Sequence, residues 1–249
     1  MTDFLITGAS GRLGRKLIQR LEGRNASLRL MSRAAGPDVR WVCADIDRGT
    51  GLSAAVAGVR TVIHCASSPY QRTREVDVEG TRRLVETCSL NGVAHFVFVS
   101  ITGVDRMPFP YYRAKLDAEK IVESSGVPFT IVRITQFFPF VDWMLRRLLA
   151  LPVGLLPAGG LLQPIDMGEA ADRVVDVSFA APAGRIAESG GPQVMSFGDI
   201  ARQWKQARGR SVFTIPVPAV GASLKALHQG ALTCPNGWRG RKTWLEWLK

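Results

Sequence analysis

The stretch DFLITGASGRLG, residues 3–14, decides how this chain is read. Phe4, Leu5 and Ile6 form the short unbroken apolar run of a strand buried on both faces. Gly8, Gly11 and Gly14 follow at G-x-x-G-x-x-G spacing, and Leu13, Leu17, Ile18 and Leu21 then recur at helical intervals. Strand, glycine turn and helix thus come in the order that a dinucleotide pyrophosphate requires. Gly8 permits the tight turn, Gly11 lets the backbone approach phosphate, and Gly14 lets the helix pack close to the strand. The N–H groups at the start of that helix then face the negative charge. The expected cradle is the whole turn: Gly8, Ser10, Gly11, Arg12, Leu13 and Gly14.

Working outward, Leu28, Leu30 and Met31 predict a second strand that ends at Ser32 and Arg33. An acid at this point would bind a ribose 2′-hydroxyl, whereas an arginine accommodates a 2′-phosphate. No acid occurs between Arg33 and Asp38, so NADP(H) is the expected cofactor, with Ser32, Arg33 and Arg12 near that phosphate. Val39, Trp41 and Val42 predict a third strand, and Asp45 after it either approaches the adenine amino group or closes a turn. The fourth strand, 60–65, ends in Ala66, Ser67 and Ser68, small residues that leave room for a cofactor crossing the strand ends. Ser67 is a candidate for a ribose or phosphate contact. A helix over 76–91, a strand at 96–99 ending in Ser100, a helix from Tyr111 to about Ser125 and a strand at 129–132 complete the alternation.

Strand–helix alternation of this kind predicts an α/β fold with a doubly wound parallel sheet. Regularity weakens after about residue 136. Helices are expected over 168–180, 196–209 and 220–230, with a strand at 212–217, and Trp244, Leu245 and Leu248 would dock the tail. The expectation is one domain: a core of residues 1–135 with a small C-terminal substrate-side subdomain, 136–249.

Composition narrows the function classes. The chain has 249 residues, 46% hydrophobic and 21% charged, an ordinary globular balance that needs neither disulfide nor metal. Nothing resembles a signal peptide, and the most apolar region, 145–162, is broken by Arg146, Arg147, Pro152, Gly154 and Pro157. A cytoplasmic protein with no membrane partner is expected. The net charge is +11, but it is spread, with 21 Lys and Arg against 14 Asp and Glu over residues 1–150. No basic run or recognition motif accompanies it, so no nucleic-acid partner is expected. The cysteines show no metal-ligand spacing, and Cys43 and Cys65, at strand ends, are expected as buried thiols. His64, His95 and His228 are scattered, which argues against a metal site.

Tyr111 and Lys115 stand i, i+4 at the start of a helix and so share one face. That pairing suits a tyrosine general acid assisted by a neighbouring ammonium. Ser100 or Thr102, at the end of the fifth strand, offers a hydroxyl to polarise a substrate carbonyl. Phe137, Phe138, Phe140 and Trp143 would either wall an apolar pocket or belong to the core.

Several motifs together carry a family resemblance. TGASGRLG (7–14), Arg33, SITGVD (100–105), YYRAKLDAEK (111–120) and SGVPFTIVR (125–133) resemble the NmrA-like, atypical branch of the short-chain dehydrogenase/reductase superfamily. So do Thr135-Gln136-Phe137, QPID (163–166), GGP (190–192) and the tryptophan-containing tail, so the likeness runs through the whole chain. The resemblance implies a Rossmann fold that binds NADP(H), with Gly8, Gly11, Arg12, Gly14 and Arg33 on the cofactor and Lys115 reaching the nicotinamide ribose. The expected activity is reduction of a small, apolar carbonyl or quinone-like acceptor, by a monomer or homodimer, with Tyr111, Lys115 and Ser100 catalytic. The alternative is a dinucleotide-binding redox sensor without turnover.

Overall fold

A computed structural model describes residues 2–249. The N-terminal half alternates as β1 (Thr2–Thr7), α1 (Arg12–Glu22), β2 (Leu28–Ser32), β3 (Trp41–Cys43), α2 (Leu52–Val56) and β4 (Val59–His64). After β4 one wide helical turn, Arg74–Glu79, leads into α3 (Gly80–Leu90), then β5 (His95–Ile101), α4 (Pro110–Glu123) and β6 (Phe129–Ile134). Beyond it come α5 (Phe138–Leu148), β7 (Val153–Leu156), β8 (Leu161–Leu162), α6 (Met167–Phe179), β9 (Gly184–Arg185), β10 (Ser189–Gly190) and β11 (Met195–Ser196). The chain closes with α7 (Phe197–Ala207), β12 (Phe213–Pro216), α8 (Ala222–His228), β13 (Trp238–Arg239) and α9 (Trp244–Leu248).

The chain groups into two compact units that interleave in sequence. Among the described residues, the first holds 2–100, 110–132 and 171–186; the second holds 101–109, 133–170 and 187–249. The boundary anticipated near residue 135 is therefore crossed again, because residues 171–186 return to the first unit.

In the first unit the strands lie in the order β3-β2-β1-β4-β5-β6, with β9 paired to β6. The recorded pairings of this sheet are parallel, as in β1 against β2 (Phe4↔Leu28) and β1 against β4 (Phe4↔Thr61). The order reverses between β1 and β4, and at such a switch point the carboxyl ends of the strands leave a crevice for ligand. Leu5, Val62, Phe96 and Ile131 from successive strands join Leu84, Val85, Cys88, Ala118 and Val122 of the covering helices in one buried cluster. The runs are apolar without alternation because both sheet faces are covered.

Two details differ from the sequence reading. Val39 lies outside β3 and is exposed, and Cys43 is exposed while Cys65 is only half-buried. The reason is position: β3 is an edge strand, and β4 has ended at His64 before Cys65.

In the second unit Ile134 pairs with Ser189 of β10, which continues to β13. Phe138, Val141 and Leu145 of α5 are buried, as are Ile200, Ala201 and Trp204 of α7. Ser196 caps α7, its hydroxyl accepting the Asp199 N–H at 3.0 Å. In the tail Trp244 and Leu248 are buried but Leu245 is exposed, because on a helix it turns away from its neighbours one step before and three steps after. β7, which the proline- and glycine-broken sequence concealed, pairs in parallel with β12, the strand expected at 212–217.

Candidate active site

The glycine turn forms as the spacing requires. Gly8 has φ +68°, and a Cβ there would lie 2.9 Å from the Ala66 backbone, so the ends of β1 and β4 touch at the switch point. A Cβ on Gly14 would stand 2.3 Å from the Gly8 carbonyl oxygen, which admits no side chain at all. Gly11 caps α1 without any side-chain hydrogen bond, and no acid lies in the first turn. The leading N–H groups of α1 thus remain available to an anion beside a backbone that only glycine permits, and these features fit a pyrophosphate. Ser10 and Arg12 are exposed and Leu13 is half-buried.

Arg33 follows β2 as an exposed side chain, and no carboxylate pairs with Arg12 or Arg33 among the described residues. Ser32 donates its hydroxyl to the Ala34 carbonyl and so shapes the loop. Asp45 adopts the turn role: its Oδ1 accepts the Asp47 N–H at 2.9 Å and its carbonyl accepts Gly49 N–H.

At the end of β4 the structure assembles a polar network that the sequence showed only in pieces. Ser67 donates its one hydroxyl hydrogen to Asp77 Oδ1 at 2.6 Å. Its oxygen stands 2.8 Å from the Tyr111 hydroxyl, which must therefore be the donor between those two. Asp77 also accepts the Ser68 N–H at 2.9 Å and lies 3.8 Å from Lys115 Nζ. Lys115, almost wholly buried, donates to the Val99 carbonyl at 3.0 Å and sits 4.2 Å above the centre of the Phe98 ring. Burial lowers the Lys115 pKa, and the charges of Asp77 and Glu119 oppose the shift. Burial raises the Tyr111 pKa above its ordinary range, the Asp77 charge adds to this, and Ser67 works against it. The phenol is accordingly protonated at neutral pH.

Ser100 goes elsewhere. It is buried and donates to Glu119 Oε1 at 2.5 Å, so the structure brings it to α4 four residues beyond Lys115 and not to Tyr111. Thr102 is buried. Phe138 belongs to the core against Trp244 and Trp247, whereas Phe140 is exposed and stacks on Trp143.

Asp77 escaped the sequence reading, which predicts one helix over 76–91 and so runs Val76 and Val78 together on it. Two valines at i, i+2 do not share a face of an ordinary helix. The wide turn at Arg74–Glu79 resolves the conflict by burying Asp77 and Val78 and leaving Val76 half-buried. That spacing, with an acid between two valines, was the available signal. His64 is buried and neutral, held between the Thr7 and Thr81 hydroxyls at 2.6 and 3.0 Å. Among the described residues no group of His, Cys, Asp and Glu is arranged to hold a metal ion.

Comparison with known proteins agrees with this geometry. Residues 8–138 match a family model described as NAD(P)H-binding. The chain is 32% identical over 154 residues to an uncharacterised sugar epimerase, YhfK, of Bacillus subtilis, covering 53% of this chain and 71% of that protein. It is also 32% identical over 146 residues to the chloroplastic protein High Chlorophyll Fluorescence Phenotype 244 of Arabidopsis thaliana, covering 55% of this chain but only 37% of that relative's length. In fold it matches the NADPH-dependent quinone oxidoreductase of Escherichia coli, with a TM-score of 0.82 at 18% identity over 98% of each chain. A glycine turn at a sheet's switch point, matched from Gly8 through α4 and β6, makes this chain a member of the NAD(P)H-binding family, with structural neighbours among the atypical short-chain dehydrogenase/reductase and epimerase folds.

Proposed function

We propose that the protein is an NADP(H)-dependent reductase of a small, apolar carbonyl or quinone-like acceptor. The observation that carries this reading is the chain Tyr111–Ser67–Asp77–Lys115, which places a protonated phenol and a buried lysine together at the end of β4. Gly8, Gly11, Gly14 and the start of α1 would hold the pyrophosphate, Arg12 and Arg33 the 2′-phosphate, and Ala66 would leave room for the cofactor. When bound, NADPH supplies the hydride. Tyr111 keeps a proton for the acceptor oxygen, and Lys115, which donates one N–H to the Val99 carbonyl and stands 3.8 Å from Asp77, would hold the nicotinamide ribose. Ser67 and Asp77 orient the phenol, and Ser100 supports Lys115 through the Glu119 carboxylate. The relative with quinone reductase activity and bound NADPH agrees with this choice of cofactor and acceptor.

The test is NADPH oxidation by the purified protein across a panel of quinones and carbonyls. Tyr111→Phe is expected to lower kcat by roughly 10²–10⁴-fold with NADPH affinity retained. Arg33→Ala is expected to weaken NADPH binding roughly 10–100-fold and leave NADH binding unchanged, as for a lost charged hydrogen bond. Binding without turnover of any acceptor would instead support a second reading, a redox sensor. The commitment of Ser100 to Glu119, away from Tyr111, favours that reading. A sensor would bind NADP⁺ and NADPH with different affinities.

A further inference from the structure

The second unit carries an apolar face that nothing in its own fold covers. In the β7–β12 ribbon Val153 pairs with Phe213 and Leu155 with Ile215, so these four side chains share one side. All four are exposed, Phe213 at 70% and Leu155 at 61%, with Leu151 at 70% just before the ribbon. The other side is closed: Gly154 and Leu156 are buried, and a Cβ on Gly154 would meet Leu149 at 2.6 Å.

Beside the ribbon lies a cavity of about 440 Å³ lined by Arg146, Ala150, Trp204, Arg208 and Arg210. Its lining residues Ala150 and Arg210 each stand three positions before a strand of the ribbon, and there Arg210 donates to the Leu149 carbonyl at 3.0 Å and Phe213 N–H to the Pro152 carbonyl at 3.0 Å. Three guanidiniums here face one carboxylate. Asp142 takes Arg146 at 2.7 Å, the Trp204 indole N–H at 2.8 Å and Arg208 at 3.4 Å, which leaves Arg210 without an acidic partner. Burial aside, these donors hold the Asp142 carboxyl below its usual range, so it stays charged and the cluster keeps a net positive charge.

We propose that the β7–β12 ribbon and the adjoining arginine cavity form a docking surface for an anionic lipid bilayer, the aliphatic side chains entering the acyl boundary while a lipid phosphate is held by the arginines. Size and charge choose this occupant. The ribbon is four residues long and two strands wide, roughly 13 Å by 10 Å. A stable protein partner takes about 800 Å² from each side, several times that footprint, and interface centres favour Trp, Tyr and Arg over Val, Leu and Ile. A second copy of this chain would bring a like positive charge against the arginines, on a protein whose net charge is +11. A bilayer needs no complementary shape, only insertable apolar side chains and anionic headgroups. No spanning segment is involved, and no described helix is long and apolar enough to cross a membrane. The surface is independent of the reaction assigned above.

The experiment is flotation of the full chain with phosphatidylcholine vesicles, with and without phosphatidylglycerol, over a range of salt. Binding is expected only to the phosphatidylglycerol vesicles and should weaken as salt rises. Arg146→Gln/Arg210→Gln and, separately, Leu155→Ser/Phe213→Ser should each lower vesicle affinity at least about tenfold, with circular dichroism and NADPH binding unchanged. Equal binding to neutral vesicles, or none to either, overturns the proposal. So does self-association in solution that Leu155→Ser/Phe213→Ser abolishes, since the face then belongs to a second copy.

Discussion

His64 shows how a single residue links burial to pH. It is fully enclosed between Thr7 and Thr81, and burial, with the Lys115 charge, lowers its pKa to about 3. The unfolded chain binds a proton at this position near pH 6.5 while the folded chain does not, so stability is complete above that pH and is lost as pH falls toward 3. Unfolding free energy from urea titration should drop by about 2 kcal/mol between pH 7 and pH 5 from this residue, and His64→Gln should remove that increment. Asp77 was not legible as part of the site, because its role depends on a wide helical turn and on two partners, Ser67 and Lys115, that are 10 and 38 positions away in sequence.

At the scale of the element, β1, its glycine turn and α1 were readable almost to the residue. Local spacing determines this unit: the apolar run makes the strand, and each glycine answers a contact within six residues or with Ala66. Gly14→Ala tests it. The added Cβ would meet backbone, the Gly8 carbonyl and Ala9, which cannot swing aside. Stability should fall by about 1–3 kcal/mol in chemical denaturation, and NADPH affinity should fall with it. The elements missed were short and non-periodic. β7 pairs only with β12, some 60 residues later, and its exposed Val153 and Leu155 carry no hydrophobic pattern that a buried strand would show.

For the whole molecule, the interleaving of the two units matters most. The second unit is held partly by its tail: Trp244 is buried, packs on Phe138 and Trp247 and donates its indole N–H to the Ile200 carbonyl at 3.3 Å. Trp244→Ala should cost about 3–5 kcal/mol in urea denaturation, with the loss read in the midpoint. The sequence by itself determined the parallel α/β class, the glycine cradle and the pairing of Tyr111 with Lys115 on one helix face. These depend on contacts between near neighbours or on simple periodicity. Only the tertiary structure decided that Ser100 serves Glu119, that Asp77 joins Tyr111 and Lys115 through Ser67, and that residues 171–186 return to the first unit. Each of these rests on side chains brought together across long stretches of chain, where no local spacing records the contact.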